Sequence, residues 1–136
     1  MRYTPAAVAL ALLAAVTSSV AFTAPREELD PRAAALVAQG KAALGSGKVD
    51  AAIDAYEAAL AVQPGSVAVL VDLAEANRRN GMQGKALHYY REALEGDPRN
   101  LVALAGEGAA LAEKGAIEKA RRNLAQVRTI CGGDCD

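Results

Sequence analysis

Residues 67–100 read VAVLVDLAEANRRNGMQGKALHYYREALEGDPRN, and residues 33–66, AAALVAQGKAALGSGKVDAAIDAYEAALAVQPGS, lie over them in register. Leu36 falls on Leu70, Gly40 on Ala74, Gly47 on Gly81, Ala52 on Ala86, Tyr56 on Tyr90 and Pro64 on Pro98. A third copy begins at Leu101. It keeps Leu104, Gly108, Gly115 and Ala120, and it has Leu124 where the first two copies have tyrosine. The period is 34 residues throughout. A fixed period of this size marks an array of stacked units, each of which buries its apolar face only against its neighbours.

Within each unit the turn signals divide the copy into two helices. Asp30-Pro31 places an N-capping carboxylate before a proline at the first helical position, where its missing N–H is no loss. A helix is predicted there over about 31–45, broken by Gly45-Ser46-Gly47, and a second over about 49–62, stopped at Pro64-Gly65. Ser66 caps a third over about 67–80, and a fourth follows over about 84–96 before Asp97-Pro98. Asn100 caps a fifth over about 101–114, and a sixth over about 116–130 halts at Gly132-Gly133. No run alternates as a half-buried strand does, so the fold class is all-α. The small residues Gly40, Ala74 and Gly108 on each first helix, and Ala52, Ala86 and Ala120 on each second, let paired helices approach closely. Tyr56, Tyr90 and Leu124 are expected to fill the wider space beside them.

The bulk composition agrees with closely packed helices. The chain has 136 residues, room for one domain, and is 52% hydrophobic but only 4% aromatic, so its core is built from Ala, Leu, Val and Ile. The net charge is −1 with both signs interspersed. A nucleic-acid binder carries a basic stripe; only short basic pairs occur here, and no nucleic-acid partner is expected.

Residues 1–24 are of another kind. Arg2 gives a positive start, residues 5–16 run without a charge, and Ser19-Val20-Ala21 offers the small residues of a signal-peptidase site. We read 1–21 as a signal peptide cleaved after Ala21. The apolar run is shorter than the roughly 20 residues that span a bilayer, so no stable membrane span is expected after cleavage. An uncleaved anchor is the alternative. The domain plan is then a flexible leader over 22–30, a repeat domain over 31–132 (copies 33–66, 67–100 and 101–132), and a cysteine-containing tail over 131–136.

The repeated positions resemble the tetratricopeptide repeat, whose pattern has a small residue at position 8, Gly at 15, Ala at 20, an aromatic at 24, Ala at 27 and Pro at 32. Counted from Ala33, Val67 and Leu101, the first copy matches with Gly40, Gly47, Ala52, Tyr56, Ala59 and Pro64, and the second with Ala74, Gly81, Ala86, Tyr90, Ala93 and Pro98. The third departs at its last three positions, Leu124, Val127 and Gly132. Asn77 departs too, standing where the pattern usually has an aromatic, and looser packing is expected around it. The resemblance implies a right-handed superhelical array of six helices in three antiparallel pairs. In such arrays the second helix of each pair is apolar on two sides. Ile53, Leu60, Leu87 and Leu94 fit, whereas the third copy has Arg121 and Arg128, so the far face of the last helix is expected to meet water.

The resemblance also implies a concave groove lined by the first helices, chiefly at positions 2, 5, 9, 12 and 13. Those positions include Val37, Lys41 and Leu44 in the first copy, Val71, Glu75, Arg78 and Arg79 in the second, and Val102, Ala105 and Ala109 in the third. The family's peptide-carboxylate clamp uses Lys at position 5 and Asn at 6 and 9. Val37, Ala38 and Lys41, then Val71, Asp72 and Glu75, do not reproduce it. An apolar trough edged by Lys41, Arg78 and Arg79 suits a helix or extended segment with apolar anchors and some acidic groups. A bland reading stands beside it: Arg78-Arg79 is a solvated pair at a helix C-terminus, where the dipole favours cations.

The only two cysteines, Cys131 and Cys135, are separated by Gly132-Gly133-Asp134. In an exported chain they are expected to form a disulfide, tying the end of the last helix. A redox-active pair or a metal site are the alternatives, each short of its motif: the spacing has three intervening residues, and closed zinc sites want four well-placed N/S ligands. No catalytic constellation converges. His88, the only histidine, falls on a solvent-facing position, and no cofactor is implied. The sequence therefore points to a non-enzymatic interaction module that binds a protein or peptide, in an oxidising compartment; the Ala-rich character is read as bacterial, and the periplasm is expected. The alternatives are a self-assembling structural protein, because the apolar run Ala33 to Ala38 has no preceding repeat to cover it, and a thiol-redox protein using Cys131 and Cys135.

Overall fold

The computed structural model describes residues 27–132. Residues 1–21, read from the sequence as a signal peptide, the start of the leader and Cys135 lie outside the described residues. Six helices follow in order: α1 (Pro31–Gly45), α2 (Val49–Val62), α3 (Val67–Arg79), α4 (Gln83–Gly96), α5 (Leu101–Glu113) and α6 (Ile117–Cys131). They form three antiparallel pairs stacked in sequence, each pair touching the next through α2 and α3, then α4 and α5. Among the described residues there is no strand.

Local chemistry starts and stops these helices at the same register in each repeat. The first helix of every pair has a side-chain cap: Asp30 Oδ1 accepts from the Arg32 amide at 2.8 Å, Ser66 Oγ from Val69 at 3.4 Å, and Asn100 Oδ1 from Ala103 at 3.0 Å. Each pair then turns at a glycine with positive φ, Gly47 at 74°, Gly81 at 76° and Gly115 at 78°. An L side chain is strained there, which is why glycine recurs at this position of the period.

The core falls into two clusters, and each spans a joint between repeats. The first gathers Ala33 and Val37 of α1 and Ala52, Ile53, Tyr56 and Ala59 of α2, closed by Val69, Leu73 and Ala76 of α3. The second gathers Leu70, Ala74, Ala86, Leu87, Tyr90 and Ala93 under Ala103, Ala110 and Leu111 of α5. Each of the first two pairs is thus completed by the first helix of the next repeat. Tyr56 and Tyr90 are both 1% exposed, as their filling role requires.

The third pair departs from the sequence reading. Leu124, expected to fill the space that the tyrosines fill, is 49% exposed, Ile117 is 46% exposed, and no residue of α6 is buried. Ala120, Val127 and Ile130 of α6 are half-buried, and Arg121 and Arg128 on its far face are exposed. The reason lies in the repeat logic: position 24 is sealed by the following first helix, and no described helix follows α6.

Of the leader expected over 22–30, residues 27–30 are described and tied down. The Asp30 amide donates to Gln63 Oε1 at 2.7 Å, Gln63 Nε2 donates to the Glu28 carbonyl, and Glu27 Oε2 accepts from the Ala68 amide. Leu29 packs against the first core cluster. Asn77 also differs from expectation. Where an exposed or loosely covered side chain would be the consequence of looser packing, Asn77 is completely buried.

Candidate binding groove

Stacking brings α3 and α5, the first helices of the second and third pairs, side by side. Their exposed faces enclose a pocket of about 680 Å³. Its walls are Val71, Asp72 and Glu75 of α3, Leu101, Val102, Ala105 and Gly106 of α5, Tyr90 of α4, and Val127 and Cys131 of α6. Val102 is 65% exposed and Leu101 38% exposed within it, so large apolar surface faces an open hollow.

Four of the groove residues read from the sequence meet in this pocket: Val71, Glu75, Val102 and Ala105. The others stand elsewhere. Val37 is buried in the first core cluster, and Leu44 packs half-buried against it. Lys41 is exposed, its Nζ 3.4 Å from Asp72 Oδ2. Ala109 is half-buried on α5. Sequence reading did not place Asp72, Tyr90, Leu101, Gly106 and Val127 in the groove. A signal for Gly106 was present: it is a glycine two residues before the repeated small position at Gly108, hence outside the 34-residue register.

The charges at the groove differ from both sequence readings. Arg78 and Arg79 are neither offered to a ligand nor simply solvated, because Glu75 answers them. Arg78 Nε and Nη2 each donate to the Glu75 carboxylate at 2.9 Å, and Arg79 Nε donates to it at 2.7 Å. The Tyr90 hydroxyl donates to Glu75 Oε2 at 3.0 Å. Arg78 Nη1 donates onward to Glu113 of α5, whose other oxygen accepts from Gln83 Nε2 of α4 at 3.3 Å. One carboxylate on α3 therefore organises a network that joins three helices. Spacing makes this feasible, since residues three and four apart share a helix face.

Burial alone would push Glu75 up, but hydrogen bonds from Arg78, Arg79 and Tyr90, with the Arg78 charge, hold it at about 2. The hydrogen bond to Glu75 in turn pushes Arg78 above its ordinary value, against its own burial. Tyr90 is pushed up by burial and then by the Glu75 charge. Burial also raises Asp72, with Lys41 opposing it. The pocket thus has an apolar floor and two carboxylates on its α3 wall, and the arginines outside it are already paired with Glu75. Among the described residues no group of three or more His, Cys, Asp or Glu side chains could hold a metal ion.

Comparison with known proteins agrees with this architecture. A family model described as tetratricopeptide repeat matches residues 37–100. No curated protein matches the chain in sequence. Among solved structures, the second tetratricopeptide unit of Spaghetti (RPAP3) bound to the HSP90 peptide SRMEEVD superposes with a TM-score of 0.70 at 20% identity, covering 74% of this chain and 93% of that one. The Sgt2 tetratricopeptide domain from Aspergillus fumigatus gives 0.73 at 26% identity, covering 79% and 72%. The MamA protein gives 0.68 at 23% identity, covering 74% and 55%. With three helix pairs in a 34-residue register, joints sealed by successive first helices, and this match, residues 37–100 belong to the tetratricopeptide repeat family and the described chain folds as a three-pair tetratricopeptide array.

Proposed function

We propose that this protein is a non-catalytic adaptor that holds a peptide or helix of a partner protein in the groove between α3 and α5. The observation that carries the reading is the open pocket of about 680 Å³ in which Leu101 and Val102 lie exposed beside Val71. Contiguous exposed apolar surface in a concave site is a mark of binding. The likeness to a tetratricopeptide unit bound to an HSP90 peptide supports this class of partner.

The chemistry of the ligand follows from the walls. Positions 5, 6 and 9 of the second repeat are Val71, Asp72 and Glu75, so an acidic peptide terminus would meet carboxylates and no basic clamp. The groove suits an apolar side chain as anchor, with a basic or neutral neighbour beside Asp72. The acidic groups expected from the sequence are disfavoured, because Glu75 and Glu113 already occupy Arg78. A rigid, preformed site of this kind needs little rearrangement to bind.

We place this adaptor in the bacterial cell envelope, exported by residues 1–21 into the periplasm, with Cys131 and Cys135 paired in a disulfide. The supports are the signal-like layout of the N-terminal segment and the cysteine spacing. The experiment is a photocrosslinking amino acid at Val102 in the full chain, exported by its own residues 1–21, with and without Val71→Glu. A partner crosslinked by the first protein and lost with the second is the expected result. Crosslinks untouched by Val71→Glu, or only to other copies of the chain, would count against the groove.

A further inference from the structure

The two carboxylates on the α3 wall of the groove are held very differently. Glu75 accepts hydrogen bonds from Arg78, Arg79 and Tyr90. Among the described residues Asp72 is met by one cation, Lys41 of α1, with Nζ 3.4 Å from Oδ2. That is longer than a well-made charge-assisted hydrogen bond. The two ends of the pair are also unlike, the Asp72 side chain being 29% exposed and that of Lys41 62% exposed. Burial pushes the Asp72 carboxyl up, and Lys41 opposes the rise without cancelling it. A half-buried carboxylate therefore stands beside an apolar floor, answered by a hydrated lysine on a flexible stem that can leave with little loss. We propose that Asp72 selects the ligand of the groove: a segment of a partner protein that lays an apolar side chain against Val71, Leu101 and Val102 and sets a lysine or arginine of its own on Asp72, displacing Lys41. This rests on the groove reading given above and adds to it the charge of the occupant.

The register sets Asp72 apart from the scaffold. It stands at position 6 of its copy, where the first and third copies have Ala38 and Gly106, so the repeat packs without a carboxylate there. Its side chain lines the same pocket as Val71, Leu101 and Val102, which puts an apolar anchor and a cation site within reach of one short segment. Lys41 lies outside the pocket walls and shows that an ammonium can reach this carboxylate from the α1 side.

Other occupants fit less well. Arg78 and Arg79 are bound to Glu75, and Arg78 also to Glu113. An acidic group entering the groove would thus face Asp72 with no uncommitted arginine beside it, and like charges so placed are rejected. A wholly apolar segment would strip water from Asp72 and leave it a single distant partner, which is costly for a carboxylate. A lysine or arginine supplies the missing donors at full charge.

The test selects peptides from a displayed random library on the full chain. Those also held by the double variant Leu101→Gln, Val102→Gln, a neutral change at two exposed positions, are discarded. Synthetic copies of the remainder are measured by fluorescence anisotropy. Each is expected to carry lysine or arginine close to an apolar residue. Asp72→Asn should weaken their binding roughly tenfold, and so should exchange of the peptide's cation for glutamine. The two changes together should weaken it little more than either alone, as a double-mutant cycle reports for a direct pair. Lys41→Gln should tighten binding about two- to fivefold, the range spanned by a mostly exposed ion pair. Misfolding does not produce a gain of that kind. Additive losses in the cycle, or weaker binding by Lys41→Gln, would place the cation elsewhere and overturn the proposal. Peptides that need Leu101 and Val102 but lack a cation, or ignore Asp72→Asn, overturn it and leave the groove standing. If no peptide depends on Leu101 and Val102, the groove reading itself fails, and the proposal with it. Self-association of the chain that Asp72→Asn abolishes would seat a second copy in the groove and overturn the assignment to a partner protein.

Discussion

The ring of Tyr90 occupies the place where Gly106 would carry a side chain: a β-carbon there would lie 2.3 Å from Tyr90 Cζ. In the first repeat Gly40 makes the room, its missing β-carbon lying 2.5 Å from Tyr56 Cε1. Two tyrosines in one register therefore lean on different glycines, one within its own pair and one across the joint. The repeated small position explains the switch, since Gly40 is replaced by Ala74 in the second copy and the ring turns towards α5. Tyr90 is also held by its hydrogen bond to Glu75, so it does not swing aside freely. Gly106→Ala is expected to destabilise the fold, because overpacking costs about 1–3 kcal/mol and the gain in helix propensity is about 1 kcal/mol. Gly84→Ala, which meets open space, should instead stabilise by about 0.5 kcal/mol. Urea denaturation of the two variants reads the difference, and shifts of the same sign would refute the Tyr90 packing.

Tyr56 and Leu124 share a register position and differ in burial, 1% against 49% exposed. Tyr56→Ala should cost about 3–5 kcal/mol, as deletion of a large buried side chain does. Leu124→Ala should cost about 1 kcal/mol or less, because only part of its apolar surface leaves water and no closed cavity remains. Comparable losses in equilibrium unfolding would mean that Leu124 is covered in solution.

The period made the array legible. Glycines at positive φ, caps at each first helix and prolines after the second helices are local devices, and the helix ends read from them differ from the observed ends by a residue or less. The groove was legible only in part. Position numbers identify which residues share a helix face, and they found Val71, Glu75, Val102 and Ala105. They do not reveal that Glu75 on α3 and Glu113 on α5 would both reach Arg78, because that depends on the rotation of one pair against the next. Nor do they show that Val37 is buried while its equivalents are not, Val71 being half-buried and Ala105 exposed. At the end of the array the water-facing Arg121 and Arg128 were legible and the exposure of Leu124 was not, because its register position is that of the buried tyrosines and burial there requires a helix on the outer side.

Asn77 is fully buried, and its two polar atoms fare differently. Nδ2 donates to the Leu73 carbonyl at 2.9 Å, while Oδ1 accepts no hydrogen bond from the described residues. An unsatisfied buried acceptor costs about 1–3 kcal/mol, whereas replacement by an apolar group of similar shape is often neutral or better. Asn77→Leu is therefore expected to raise stability by about 1 kcal/mol, with Asn77→Asp lowering it because a charge would enter the same site. A thermal melt of both variants beside the parent checks the order. Loss of stability in Asn77→Leu would show that the extra volume of leucine outweighs the relieved acceptor.

Glu75 gives the fold an acid-sensitive joint. Against its ordinary 4.5 the carboxyl is held at about 2, hydrogen bonds from Arg78, Arg79 and Tyr90 overcoming the burial that would raise it. A carboxyl depressed on folding stabilises fully above its unfolded pKa, near 4.5, and that contribution is lost as pH falls from there towards 2. The side chain is partly exposed, so solvent screening reduces the effect, and it is expected as a slope and not as a collapse. Glu75→Gln should lower stability at pH 7, because Arg78 and Arg79 lose their shared counter-charge. It should also flatten the decline between pH 4.5 and pH 2. Urea midpoints of parent and variant across that interval provide the measurement. Parallel acid limbs in the two proteins would mean that Glu75 does not carry the depression and that the α3–α5 network is held by other groups.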